Sequence, residues 1–304
     1  MIAVLKSTPA VILGLWAIWS SAFLAIKLGL SYSSPEAFAV LRVLAAIAVL
    51  LVVVVWRGSR GAGFLGGRGI HRYGMLLGAT NVAGFLLLQN AGMVDAQIGI
   101  ASVLIYTQPL LVALGAALVL RERLTPRQTV GLLTGWLGVV LVVLGELDLG
   151  LTPLSSVVLL LGAALAWTIG TLVFKWLPPD VSVWSLLLWQ NIYGLLPVTL
   201  VAVWGTSTAE WGIPLAVAVL GAGVGASIGG FGLQFVLLRR DKASIVSSWI
   251  FAVPIIAAAL GVLVMDDQLH PGLFLGGAAV ATGIYLVNSR GRRSATVDAD
   301  SAAA

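Results

Sequence analysis

The chain has 304 residues, 60% of them hydrophobic and only 10% charged, with a formal net charge of +5. A water-soluble domain carries about 25% charged residues, so composition alone excludes a soluble fold and points to an integral membrane protein. Cys is absent, which removes disulfides, thiolate metal sites and Cys nucleophiles.

A membrane-spanning helix needs about 20 mostly apolar residues. Ten such stretches follow one another, over 10–30, 36–56, 70–91, 97–120, 127–146, 153–175, 183–204, 212–238, 243–265 and 271–289. Short turns divide them, as at Ser34-Pro35, Pro178-Pro179-Asp180 and His270-Pro271. The runs are about twice the length of a barrel strand and apolar all round, so the fold class is all-α with ten transmembrane helices. Small residues such as Gly131, Gly135 and Gly138 let such helices approach closely. The two histidines, His71 and His270, fall outside the apolar segments, and no metal or cofactor is expected.

Ten spans place both termini on one side, together with 15 of the 17 Lys and Arg; the exceptions are Lys27 and Arg42. The positive-inside rule puts both termini in the cytoplasm and the chain in the inner (plasma) membrane. The basic balance thus reflects topology, with the lipid bilayer as partner and no nucleic acid. The first span reads as an uncleaved helix, and 290–304 as a disordered cytoplasmic tail.

The sequence repeats itself. A shift of 148 aligns Trp19, Lys27, Ser34 and Trp56 with Trp167, Lys175, Ser182 and Trp204. A shift of 145 aligns Gly78, Gly84, Gln89, Ser102, Pro109, Gly131 and Gly138 with Gly223, Gly229, Gln234, Ser247, Pro254, Gly276 and Gly283. The two units are 9–146 and 152–289. Each holds five spans, an odd number, so the second enters the membrane from the opposite side. Inverted repeats are the architecture of secondary transporters, in which two halves exchange conformations around a central site. Duplication in a channel, a scramblase or a structural protein is the competing explanation.

The segment from Trp19 to Lys27 followed by Leu41-Arg42 resembles the start of an EamA domain. Ala96 to Val143 resembles its end, with Ser102, Gln108-Pro109, Arg121-Glu122-Arg123-Leu124, Gln128 and the spaced glycines. Two such domains resemble the drug/metabolite transporter superfamily, and the aromatic-rich helices are similar to its bacterial amino-acid exporters. The resemblance implies a transporter and no enzyme. The second copy departs from the pattern, with Asp267 in place of Glu122 and Gln190 in place of Arg42.

Polar side chains within a span face the bundle interior or a water-filled path. Span one carries Trp16, Trp19, Ser20, Phe23 and Lys27 on one face, and span six echoes it with Trp167, Thr168, Thr171 and Lys175. Span three offers Asn81, Phe85 and Gln89; span four Tyr106 and Gln108; span seven Gln190 and Asn191; span eight Ser227, Phe231 and Gln234; span nine Ser248 and Trp249. Each has a plainer role: Ser and Thr bond back to the helix, Trp56 and Trp204 mark the headgroup belt, and Pro109 and Pro254 kink their helices or free carbonyls for a ligand. Lys27 and Arg42 either bind a substrate carboxylate or snorkel, and Arg42 has Glu36 and Asp95 as candidate ion partners. No Asp or Glu lies deep in a span, which favours facilitation or exchange over a carboxylate proton relay. The expectation is therefore a secondary transporter, a monomer or weak homodimer, exporting small amphipathic molecules such as amino acids. The alternatives are a lipophilic-cation or drug exporter, or a lipid flippase.

Overall fold

The computed structural model describes residues 8–58, 69–119, 125–148, 150, 152–178, 181–241, 243–250, 252–268 and 271–288. The tail at 290–304, His270 and the loop around Glu122 lie outside these. Among the described residues the chain is helical, and its one extended contact is an isolated antiparallel bridge between Ser33 and Ala209.

The first unit begins with α1 (Thr8–Leu30) and α2 (Pro35–Gly58). Ser34 starts α2: its hydroxyl accepts from the Ala37 N–H, and Pro35 fills the first position, where a missing N–H costs nothing. The predicted third span is α3 (Ile70–Leu77), a π-helical stretch Gly78–Gly84, and α4 (Phe85–Met93). The fourth is two helices, α5 (Ile98–Ile105) and α6 (Gln108–Val119), and the fifth is α7 (Pro126–Asp148). A reciprocal capping box opens α7: the Thr125 N–H donates to Gln128 Oε1, and the Gln128 N–H to Thr125 Oγ1.

The second unit repeats this pattern, interruptions included. After α8 (Leu154–Lys175) and α9 (Val183–Trp204) come α10 (Ile213–Val219), a π-helical stretch Leu220–Gly230 and α11 (Phe231–Arg240). Then α12 (Ala243–Trp249) gives way to α13 (Val253–Met265), and α14 (Pro271–Asn288) closes the bundle. The two π stretches and the two breaks, after Ile105 and after Trp249, sit at positions related by the repeat.

Among the described residues seven helices are long and apolar enough to cross a membrane by length and composition. The predicted third, ninth and tenth spans fall outside that seven. Asn81, Gln89 and Asn90 dilute the hydropathy of the third, and the described parts of the ninth and tenth are the shorter apolar helices Val253–Met265 and Pro271–Val287. Pro109 and Pro254 are not mid-helix kinks. Each sits in the first turn of the helix that restarts after a break. Nor are the carbonyls at the second break open to a ligand: Trp16 Nε1 donates to the Trp249 carbonyl at 2.6 Å, and Ser20 Oγ to that of Val253 at 3.4 Å.

Two kinds of contact tie the units together. On α7 the Gly131, Gly135 and Gly138 face meets α14, while Leu133 and Leu137 on the other face are exposed. A Cβ added at Gly138 would sit 2.6 Å from the Gly276 carbonyl oxygen, and one at Gly131 2.7 Å from that of Gly283. Ascending α7 therefore means descending α14, so the two helices run antiparallel. The second contact is reciprocal: Gly223 lies against the Arg42 backbone, and Gly78 against that of Gln190, the repeat mates of one another. Each unit's second helix thus packs on the π stretch of the other.

Candidate functional site

Trp19 and Trp167 occupy the same place in their respective units. Their rings meet edge to face, with centroids 5.1 Å apart, so they lie where the two units converge. Tyr106, at the end of α5, stands 5.6 Å from Trp167 and 6.5 Å from Trp19. Phe231 and Phe85, the first residues after the two π stretches, complete the cluster, 6.2 Å from Trp19 and 5.6 Å from Trp167 respectively. Gly230 stands where the first unit has Phe85, because a Cβ there would collide with Trp19 Nε1. The interruptions thus set the aromatic wall: each restarts a helix with a ring turned into the centre.

These rings enclose a cavity lined also by Ala22, Phe23, Ile26, Arg42, Gln89, Ile105, Ala226 and Ser227. The space open to a water-sized occupant is only ≈ 30 Å³, room for a water or two, because the aromatic side chains fill most of the centre. A larger space of ≈ 420 Å³ lies elsewhere, between α13 and α14. It is lined only by apolar residues, including the exposed Ile255 and Phe274, and suits lipid chains rather than a polar solute.

Arg42 is the cavity's charged group. It is 2% exposed, and Nη1 donates to Asn90 Oδ1 at 2.9 Å. Asn90 is itself held, its Nδ2 donating to the Pro35 carbonyl at 3.0 Å. The guanidinium also lies 5.7 Å from the Phe38 ring centroid. Its Nε–H has no protein acceptor, and Gln89 Oε1 has no protein donor. Glu36, expected as a possible ion partner, lies beside Gly205 instead, and no carboxylate of the described residues pairs with Arg42.

Of the predicted site residues, Trp19, Phe23, Arg42, Phe85, Gln89, Tyr106 and Trp167 line this cavity. Several others are buried outside its lining, in separate contacts that leave polar atoms of Asn81, Gln108, Gln190, Asn191 and Gln234 without a protein partner. Trp167 Nε1 donates to Gln234 Oε1 at 3.2 Å, and Gln108 Nε2 to Thr171 Oγ1 at 3.0 Å. Asn191 Nδ2 donates to its own helix at the Leu187 carbonyl, Gln190 is buried on α9, and Asn81 packs onto Gly170. Trp249 contributes its carbonyl to Trp16; the side chain of Ser248 lies outside the described residues. His71 is not outside the helices: it opens α3, with Nδ1 3.0 Å from the Tyr193 hydroxyl.

Lys27 does not reach the cavity. Its Nζ donates to the Val94 carbonyl at 3.1 Å, at the C-terminal end of α4. Its repeat mate Lys175 does the same for α11, donating to the Leu238 and Asp241 carbonyls at 2.7 Å. Both lysines meet helix carbonyls that have no partner within the helix, where a cation is favoured. Lys27→Met is expected to cost about 0.5–1 kcal/mol in detergent melts while leaving substrate affinity unchanged. A large loss of affinity with no change in melting would return Lys27 to the site.

Ala22, Ile26, Ile105 and Ala226 were not legible as lining residues, because small and aliphatic side chains carry no polar signal. Ala22 and Ile26 lie three and seven residues after Trp19, one face of α1.

Comparison with known proteins agrees with this architecture. Among curated relatives, an uncharacterized transporter of Bacillus subtilis is 27% identical over 277 residues, covering 88% of this chain and 86% of its own. A probable amino-acid metabolite efflux pump of Escherichia coli is 25% identical over 279 residues, covering 88% and 90%. A probable terminal-alkyne amino-acid exporter of Streptantibioticus cattleyicolor is 27% identical over 284 residues, covering 90% and 92%. A crystal structure at 18% identity superposes with a TM-score of 0.67 over 91% of this chain and 95% of the other, which shows the shared fold. The profile of the EamA-like transporter family matches twice, over residues 7–144 and 154–289, and with two copies covering nearly the whole chain this protein belongs to that family.

Proposed function

We propose that this transporter works in the inner membrane by alternating access, with both termini cytoplasmic and two inverted five-helix units, 9–146 and 152–289. Small amphipathic metabolites are its cargo, amino acids foremost, and export is its direction. The observation that carries the reading is the aromatic-walled cavity at the repeat mates Trp19 and Trp167, with one buried guanidinium on its wall. An apolar side chain fits the rings and a carboxylate fits Arg42. A lipophilic cation would meet that same guanidinium without a counter-charge. The antiparallel crossing of α7 and α14, and the reciprocal contacts of Arg42 with Gly223 and Gln190 with Gly78, support opposite orientations of the units. Relatives named as a probable amino-acid metabolite efflux pump and a probable terminal-alkyne amino-acid exporter support the cargo.

The test is counterflow. Purified protein in liposomes loaded with an unlabelled apolar amino acid is expected to accumulate the labelled one transiently, and empty liposomes not to. Reporter fusions at residues 60 and 208 are expected on opposite sides of the membrane. Fusions in one compartment would end the inverted-repeat reading.

A further inference from the structure

Resting on that transport reading, we propose that the Arg42 pole of the cavity is a carboxylate subsite, and that among the described residues it is the charged element by which the site selects cargo. The cargo class is then the organic monoanion: a carboxylate attached to an apolar or aromatic body, whose α-ammonium group is dispensable.

Three observations converge. A guanidinium that is 2% exposed carries a full charge in a low-dielectric wall, and no carboxylate of the described residues neutralises it. One of its nitrogens is fixed by Asn90, which points the fork rather than discharging it. The Nε–H is left without a protein acceptor on a side chain that lines the cavity, and Gln89, which lines the same cavity, has a buried Oε1 that also lacks a protein partner. Gln89 can present either end of its amide, so a carboxylate oxygen bound at Arg42 can accept from its NH₂ as well. An incoming carboxylate thus gains charge-assisted hydrogen bonds at a place where the protein itself leaves the donor open.

The rest of the lining has no anion for an ammonium. Its residues are Trp, Phe, Tyr, Ile and Ala, with the hydroxyl of Ser227, which is already committed to the Ala222 carbonyl of its own helix at 3.2 Å. An α-ammonium group therefore meets only neutral partners, the ring faces of Trp19 and Trp167, the Tyr106 hydroxyl and Gln89 Oε1, a smaller return against its desolvation than a carboxylate finds at Arg42. Removing that group costs the cargo little, whereas removing the carboxylate leaves Arg42 buried and unmatched.

A matched series tests this in the counterflow assay: phenylalanine, its primary amide and 3-phenylpropanoate as unlabelled competitors. For the wild type the desamino acid is expected to compete within about threefold of phenylalanine, and the amide at least about tenfold more weakly, the worth of one charged hydrogen bond. Arg42→Gln is expected to erase the difference between acid and amide, and Arg42→Lys to restore part of it. Detergent melts of both variants check that they fold. Should Arg42→Gln not fold, the wild-type series and Arg42→Lys still decide the matter. Equal competition by acid and amide in the wild type, or failure of 3-phenylpropanoate beside a competent amide, would overturn the subsite while leaving transport standing. No counterflow with any compound would instead strike the transport reading.

Discussion

Gly138→Leu is expected to abolish recovery of folded protein. A Cβ at this position would sit 2.6 Å from the Gly276 carbonyl oxygen and 2.7 Å from the Val280 nitrogen. Both neighbours are main chain, so no rotamer change relieves the clash. The only escape is separation of α7 from α14 along their glycine-lined contact. Overpacking a core costs about 1–3 kcal/mol where side chains can yield, and more where they cannot. That is a large fraction of a typical total stability of about 5–15 kcal/mol. The readout is the monodisperse peak on gel filtration in detergent. Gly277→Leu is the control on the neighbouring helix face: a Cβ there meets nothing within 4 Å, and the variant is expected to behave as wild type. If Gly138→Leu gave a normal peak and melting temperature, the close approach of the two helices would be wrong.

Trp167→Ala is expected to damage both fold and transport. The indole is 2% exposed and contacts Trp19, Phe85, Tyr106 and Phe231. Truncating a buried Trp costs about 3–5 kcal/mol through lost burial and the cavity left behind. Counterflow should fall by at least about tenfold, because the cargo loses the ring that its apolar part packs on. Trp167→Phe separates the two losses. It keeps a ring but removes the Nε1–H that Gln234 Oε1 accepts, on an amide whose Nε2 already lacks a protein partner. That variant should lose about 1–3 kcal/mol of stability while retaining most of the transport. Unimpaired counterflow in Trp167→Ala would show that cargo passes elsewhere.

The helical class and the doubling of the family domain were legible in the sequence, each for a physical reason. Apolar runs of spanning length leave few alternatives to helices. Register matches at Trp19 and Trp167 marked two side chains that the repeat then brings together. Arg42 stood out because a charge deep in an apolar run needs a purpose. The same logic misled at Lys27, since a lysine that reaches the carbonyls of a neighbouring helix end looks, in sequence, like a lysine that reaches a ligand. The π stretches and the breaks after Ile105 and Trp249 were invisible to hydropathy, which weighs side chains and knows nothing of which carbonyl each N–H finds. Buried amides such as Asn81 and Gln190 could not be sorted in advance into cavity and scaffold, because helix faces in an all-apolar bundle do not separate by polarity.

The meeting of α7 and α14 has a two-fold character. Gly131 rests on the counterpart of Gly138, and Gly138 on the counterpart of Gly131. A patch that complements itself in this way is what a two-fold homodimer uses. Two separate helices bearing this glycine ridge would meet in the same geometry, each offering the other what α7 and α14 offer within one chain.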